Sequence, residues 1–476
     1  MADLPLATRA KLVAIGAVVS FSSIFQMGYS NAYVNTAIDG FKSFINQSLT
    51  DRKIHFSESS FTWLWSTFLN SWFPGFAIGA WIAVPLTDIY GRRSGLLFGN
   101  GAVTLSVILM TLGPFLDFVE LLILGRFFSA VGSGVSMCSL VIFLQEIAPN
   151  SMRGTLGFFA ETAFVAMNAV GAVAGMSFVL GNHITVLIGL AAIPGVFSFL
   201  AVLPLKESPK FLLLKKDDFN RSSEAVQFYQ NVDHHHAQLV LNKIREESLD
   251  CNSSLKVVLK TPSTRKGLFM GILALQITTS IWPVVFLSTE FMVRANISSE
   301  LAEYVSSTML VVSTLSTCCG MIIIERLSRR NLFLAASFVN ITALLLFVVF
   351  SQLQPYYDKG KYGCIVAVFL HGMSYSLATG PIAWFLVSEL VPTEVRSLCS
   401  SVALALNHVS AAFLTFLVLP VYNHLNSLSL LILFVIPSYC CLLILYFNLP
   451  ETKGRDIADI VKDLGNENEE KYELKE

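Results

Sequence analysis

Few residues of this 476-residue chain can do chemistry, and those that can recur in pairs. Asp88-Ile-Tyr-Gly-Arg92-Arg93 is answered 237 residues later by Glu325-Arg-Leu-Ser-Arg329-Arg330. Glu146-Ile-Ala-Pro149, followed by Arg153, is answered 243 residues later by Glu389-Leu-Val-Pro392, followed by Arg396. Glu207-Ser-Pro-Lys210 is answered 244 residues later by Glu451-Thr-Lys-Gly-Arg455. Acids and arginines so placed offer charge-assisted hydrogen bonding, and three motifs in one order at nearly the same offset imply an internal duplication. A lone acid, Glu161, stands in an apolar stretch, with Arg126 as a candidate partner. Three adjacent histidines, His234 to His236, could suggest a metal, but neighbours on a helix point apart. No metal site is therefore expected. No phosphate-binding Gly-rich loop, ligand cluster or nucleophile motif is present, so neither an enzyme nor a cofactor is expected.

The surroundings of these residues are apolar. Hydrophobic residues make up 54% of the chain and charged residues 14%, against about 25% charge in a soluble domain; the mean hydropathy is +0.63. Disorder requires the opposite composition. The 8 Cys lack the spacing of a disulfide scaffold. A net charge of −1 argues against nucleic acid as a partner. A bilayer-spanning helix needs about 20 mostly apolar residues. Twelve stretches qualify: 11–35, 62–86, 95–115, 119–144, 155–179, 184–204, 266–292, 302–324, 331–351, 362–388, 398–422 and 427–448. They are too long and too uniformly apolar for barrel strands. The expected fold is an all-α membrane protein of twelve transmembrane helices, with the lipid bilayer as its solvent.

Lysine and arginine set the orientation. They concentrate after spans 2, 6 and 8, and are few after spans 3, 5, 7 and 11; the loops after spans 1 and 9 run against this without reversing it. Both termini and the central segment are thus expected in the cytoplasm. The sequons at Asn46 and Asn296 fall on the opposite, outer side and are expected to be glycosylated. Those at Asn220, Asn252 and Asn340 lie in the cytosolic segment or inside a span. The first apolar run is too long for a cleaved signal and reads as a retained helix. The expected organisation is a six-helix half over 1–205, a cytosolic helical linker over 206–262, a second six-helix half over 263–450 and a cytosolic tail over 451–476.

Two six-helix halves in parallel repeat are the plan of transporters whose halves rock about a midplane site. Positive-inside bias explains the arginines of the duplicated motifs but not their acids. Asp88, Arg92, Arg93, Glu146, Arg153, Glu325, Arg329, Arg330, Glu389 and Arg396 are therefore read as a cytosolic gate, a latch made when that side closes.

The chain resembles the sugar porter branch of the major facilitator superfamily, and in it the animal facilitative hexose transporters (GLUT type). The resemblance runs over all twelve spans. Its bearers are Gly91-Arg92-Arg93, Gly125-Arg126-Phe127, Glu146 to Gly154, Glu207 to Lys210, Glu325 to Arg330, Gly380-Pro-Ile-Ala-Trp384-Phe385, Glu389 to Arg396 and Pro450-Glu-Thr-Lys-Gly-Arg455. It implies the major facilitator fold, alternating access, and a small-molecule sugar or polyol as substrate. It also implies a substrate site at Gln26, Glu161, Gln276, Thr279, Trp282, Ser313, Trp384 and Asn407. The frame is kept more closely than the site. The family's span-7 Gln-Gln-Leu-Ser-Gly-Ile-Asn is Gln276-Ile-Thr-Thr-Ser-Ile-Trp282 here, its span-5 Gln is Glu161, and Ser30 stands where many proton-coupled members carry Asp. Amides suit hydroxyls that both donate and accept; an indole offers one donor and an apolar face.

The expectation is a hexose or similar small polyol moved by facilitative uniport, in a protein of the plasma membrane. A proton-coupled symporter using Glu161 and a non-transporting sugar sensor stand as alternatives. The sequence sets no oligomeric state. In cells that N-glycosylate, Asn46→Gln should reduce a glycan mass shift that Asn252→Gln leaves unchanged; the reverse result would invert the topology.

Overall fold

The computed structural model describes residues 5–54, 57–149, 152–248, 255–392, 395–453, 455 and 459–465; the side chains at 153–155, 158, 246–248, 255–257, 321, 325 and 397 lie outside that description. Helices account for all regular structure among the described residues. Eleven of them are long and apolar enough to cross a membrane, and Phe159–Ala174 is a shorter apolar one. They fall on the twelve stretches expected from hydropathy, and the chain is an all-α, multi-pass membrane protein.

The helices form two compact units, Met1–Asp250 and Cys251–Glu476. In the first, span 4 (Val119–Ile147) packs along both span 3 (Arg92–Leu116) and the second segment of span 2 (Trp72–Tyr90), while Phe25–Thr36 of span 1 packs along span 5 (Arg153–Ala174). Lipid provides no hydrophobic drive between helices, so close contact depends on small residues. A Cβ on Gly79 would collide with the Val131 carbonyl, and one on Gly134 with that of Phe76.

In the second unit, span 9 (Arg329–Leu353) packs on span 10, and the first segment of span 7 packs on spans 10, 11 and 12. Three of these spans are interrupted, span 12 by a π turn at Leu431–Val435. Span 7 runs Pro262–Ile277, a 3₁₀ turn at Thr278–Ser280, then Ile281–Arg294. Span 10 runs Gly360–Ser374, a π turn at Tyr375–Thr379, then Gly380–Leu390. Such turns loosen the regular backbone ladder and often mark functional positions.

Hydropathy alone left 36–61 as a loop, but Ile38–Asp51 is a helix. Its Ile38, Phe41, Phe44, Ile45 and Leu49 are buried, which is the stripe of an amphipathic helix. Phe41 stacks on Tyr33 at 5.8 Å, and Arg52 pairs with Glu120 at 2.7 Å. Asn46 lies on the exposed side of this helix, and Asn296 is also exposed.

After span 6 the chain forms Pro209–Leu214, Phe219–Gln230 and His234–Ser248, which share a small core of Leu213, Val226, Ala237 and Leu241. Local chemistry sets their ends: Ser208 and Asp218 accept the N–H groups of Phe211 and Arg221, and Asn231 closes the second helix in the left-handed conformation. Tyr229 donates to the Lys206 carbonyl at 2.6 Å and meets Phe143 edge-on, which ties this cluster to span 4. Asn252 lies outside the described residues.

Overpacking a helix contact costs about 1–3 kcal/mol or more. Gly79→Val should therefore lower the yield of folded protein, whereas Gly101→Ala, whose nearest neighbour is 3.9 Å from the new Cβ, should not. Fluorescence size-exclusion profiles of the two variants check this.

Candidate functional sites: paired charge clusters and broken helices

Span 3 begins at Arg92, directly after Gly91, which has φ +105°. No side chain would fit at Gly91, because the Glu207 carboxylate occupies the place of its Cβ. That carboxylate accepts the backbone N–H of Arg92 at 2.9 Å, of Arg93 at 2.9 and 3.2 Å, and of Ser208 at 2.9 Å. An anion at a helix N-terminus meets orphan N–H groups and the positive end of the dipole. Arg92 turns its Nε to Glu146 at 3.0 Å, reaches Asp88 at 3.5 Å and lies over the Phe211 ring. Arg93 Nη2 donates to the Leu203 carbonyl at 2.6 Å. Ser208 donates to Glu146, and Lys215 pairs with Asp88 at 3.2 Å.

The second unit repeats this arrangement. Glu451 accepts the N–H of Arg329 at 3.0 Å and of Arg330 at 3.3 Å, at the start of span 9. Arg329 pairs with Glu389 and lies over Phe385; Arg330 Nη2 donates to the Tyr446 carbonyl at 2.8 Å. Ser328 donates to Glu451. Burial works against ionisation of Glu451, but the hydrogen bonds from Ser328 and from the N–H groups of Lys453, Arg329 and Arg330 outweigh it and hold the carboxyl below the usual carboxylate range. A depressed pKa stabilises the fold above the unfolded value of about 4.3, and that contribution is lost as pH falls through the folded value.

The candidate gate residues thus come together as Asp88, Arg92, Arg93 and Glu146 in one unit and Arg329, Arg330 and Glu389 in the other. Arg396 has Nε and Nη2 buried without a hydrogen-bond partner. The side chains of Arg153 and Glu325 lie outside the described residues. Glu207, Ser208, Ser328 and Glu451 were not singled out as site residues; the repeat offset that links Glu207 to Glu451 was the signal for them.

The candidate sugar residues divide between the units. In the first, Gln26 is buried with neither amide atom hydrogen-bonded. Glu161 is half-buried on span 5 and makes no ion pair among the described residues. Arg126 does not serve as its partner: the buried guanidinium donates to the carbonyls of Ser30 (3.2 Å) and Leu69 (3.4 Å) and lies over Phe68. In the second unit, Trp282 and Trp384 both neighbour His408, with ring centroids 6.4 and 6.1 Å from it. The Trp384 indole nitrogen is buried without a hydrogen-bond partner. Gln276 is half-buried, and Thr279 donates to its carbonyl at 2.8 Å. Asn407 uses its amide nitrogen on the Leu275 carbonyl at 2.6 Å, beside the break in span 7, and its Oδ1 has no partner. Ser313 contacts the Met309 sulfur. His408, the ring beside both indoles, was not singled out as a site residue.

A sequence model of the family described as "Sugar (and other) transporter" matches residues 15–464. The chain belongs to this family of transporters. Among its curated relatives is the mouse solute carrier family 2, facilitated glucose transporter member 3, 26% identical over 450 residues, covering 92% of this chain and 90% of the relative. Horse member 5 is 27% identical over 453 residues, covering 93% and 90%. Among solved structures, the partially occluded inward-open xylose transporter XylE of E. coli superposes with a TM-score of 0.77 at 17% identity, over 94% of this chain and 100% of that one. Its inward-open form gives 0.75 at 16% identity, over 94% and 99%. Membership of a transporter family accords with the absence of enzyme motifs from this member's sequence.

Leaving buried donors unsatisfied costs about 1–3 kcal/mol. Glu207→Ala and Glu451→Ala should each lower the melting temperature of the detergent-solubilised transporter, and Glu207→Gln and Glu451→Gln should lower it less. Equal melting of wild type and both alanine variants would remove the helix-capping role.

Proposed function

We propose that this sugar transporter family member is a facilitative carrier of a hexose or similar small polyol, working by alternating access in the plasma membrane with both termini cytoplasmic. The observation that carries the uniport reading is Ser, not Asp, at position 30, whose carbonyl accepts from the buried Arg126 at 3.2 Å. A proton-coupled cycle needs an acid that changes charge, and position 30, where many proton-coupled members of the family carry Asp, supplies none. The facilitated glucose transporters among the relatives support the substrate class, and the indoles of Trp282 and Trp384 supply apolar faces for a sugar ring. The two charge clusters are read as the cytosolic latch. Their pairs are modest singly, about 0–1 kcal/mol at a surface, and so can break and remake during a cycle.

Glu161 decides between this reading and symport. Glu161→Gln keeps the shape and hydrogen-bonding capacity but cannot ionise. In proteoliposomes, uniport predicts counterflow of labelled D-glucose or a related hexose, with no accumulation under an inward proton gradient in wild type or variant. If Glu161 contacts the sugar, Glu161→Gln weakens half-saturation about ten- to a hundredfold, the scale of a hydrogen bond to a charged group. Accumulation that is driven by protons and lost in Glu161→Gln would establish symport instead. Absence of counterflow for every hexose and polyol tested would point to a sensor.

A further inference from the structure

His371 is buried on the last turn of span 10 before its π turn. Its Nδ1 lies 3.1 Å from the Asn340 carbonyl of span 9, which can only accept. Nδ1 therefore carries the proton, and Nε2 is left as the acceptor. Nε2 faces the Ser280 hydroxyl at 3.5 Å, which donates to it. Ser280 is the last residue of the 3₁₀ turn in span 7, and Trp282 follows two positions on. The Asn340 side chain returns from span 9, donating to the His371 carbonyl at 2.8 Å and to Ser374 Oγ at 3.2 Å. Those two residues flank the entry to the π turn, where the regular backbone pattern is interrupted. One imidazole thus joins the break in span 7 to the break in span 10, with span 9 as its backing. Plain apolar packing could fill this volume without the cost of burying four polar groups that must satisfy one another.

We infer that His371 is a positioning residue that locks the two helix breaks together and so sets Thr279 and Trp282 against Trp384. This assignment rests on the sugar site proposed above for those three side chains. Asn407 holds the other flank of the span-7 break through the Leu275 carbonyl, so that break is fixed from spans 10 and 11 at once. Asn340 and His371 form the rigid side of the joint. The single contact with Ser280, at 3.5 Å longer than the usual hydrogen bond, is the element that yields when span 7 moves.

The test uses the full chain. His371→Asn keeps a donor near the Nδ1 position but cannot reach Ser280; Ser280→Ala removes the same bond from the other side. In counterflow with labelled D-glucose, each should raise the half-saturating concentration about three- to tenfold at unchanged abundance, the scale of one hydrogen bond. The double variant should be no worse than the weaker single one. Independently of any substrate, hydrogen exchange in detergent should rise in peptides covering both 275–284 and 372–382 in Ser280→Ala as well as in His371→Leu. Additive effects in the double variant, or faster exchange at only one of the two breaks, would overturn the inference. Should wild type move no glucose, the sugar reading fails, while the exchange experiment still decides whether the breaks are locked. Should His371→Leu fail to fold, Ser280→Ala alone decides.

Discussion

A helix that starts at a membrane surface leaves four backbone N–H groups without partners, and in both units a carboxylate from distant sequence satisfies two of them. Glu207 arrives after span 6 to cap span 3, and Glu451 arrives after span 12 to cap span 9. Each carboxylate draws the end of its unit onto the start of that unit's third helix. The rest of the cluster follows from this placement. With the backbone of Arg92 and Arg329 held, their guanidinium groups are directed at Glu146 and Glu389, while Arg93 and Arg330 reach the last carbonyls of the spans that deliver the capping acid. Gly91 is required because the capping acid of its unit sits where a side chain would be.

Charge at the helix ends and interruption in the helix middles are complementary. The ends are fastened by ionic contacts in a polar environment where such contacts exchange readily. The middles of spans 7 and 10 are fastened by neutral hydrogen bonds, from Asn407, His371 and Asn340, in an environment where a lost bond is costly to leave unmade. The amides that the wider family devotes to sugar are fewer here, and one that remains, Asn407, is occupied with the backbone on its nitrogen side. That leaves Trp282 and Trp384, both beside His408, as the main surfaces of the proposed site.

The twelve spans and the duplication were legible because both depend on composition and periodicity, which the bilayer makes nearly deterministic: a run of about 20 apolar residues has few other fates. The charged motifs were legible for the same reason, since acids and arginines stand out against an apolar background. The helix over 38–51 was missed although its apolar stripe is in the sequence, because a search for long apolar runs passes over an amphipathic helix. The possible pairing of Glu161 with Arg126 was a reasonable reading of two charges in apolar surroundings; the fold instead gives Arg126 to backbone carbonyls on spans 1 and 2.

The chain's sequence by itself determined the class of molecule, the number of crossings and the repeat, because these follow from how each segment partitions between water and lipid. Only the tertiary structure decided which partner each polar group takes. Glu207 and Glu451 are unremarkable acids until folding carries them to helix ends more than a hundred residues away in the chain. His371 and Ser280 acquire a shared role only because two interrupted helices bring their breaks to the same depth. Partnership of this kind depends on distance in space and on the direction of donors and acceptors, and neither is written in local composition.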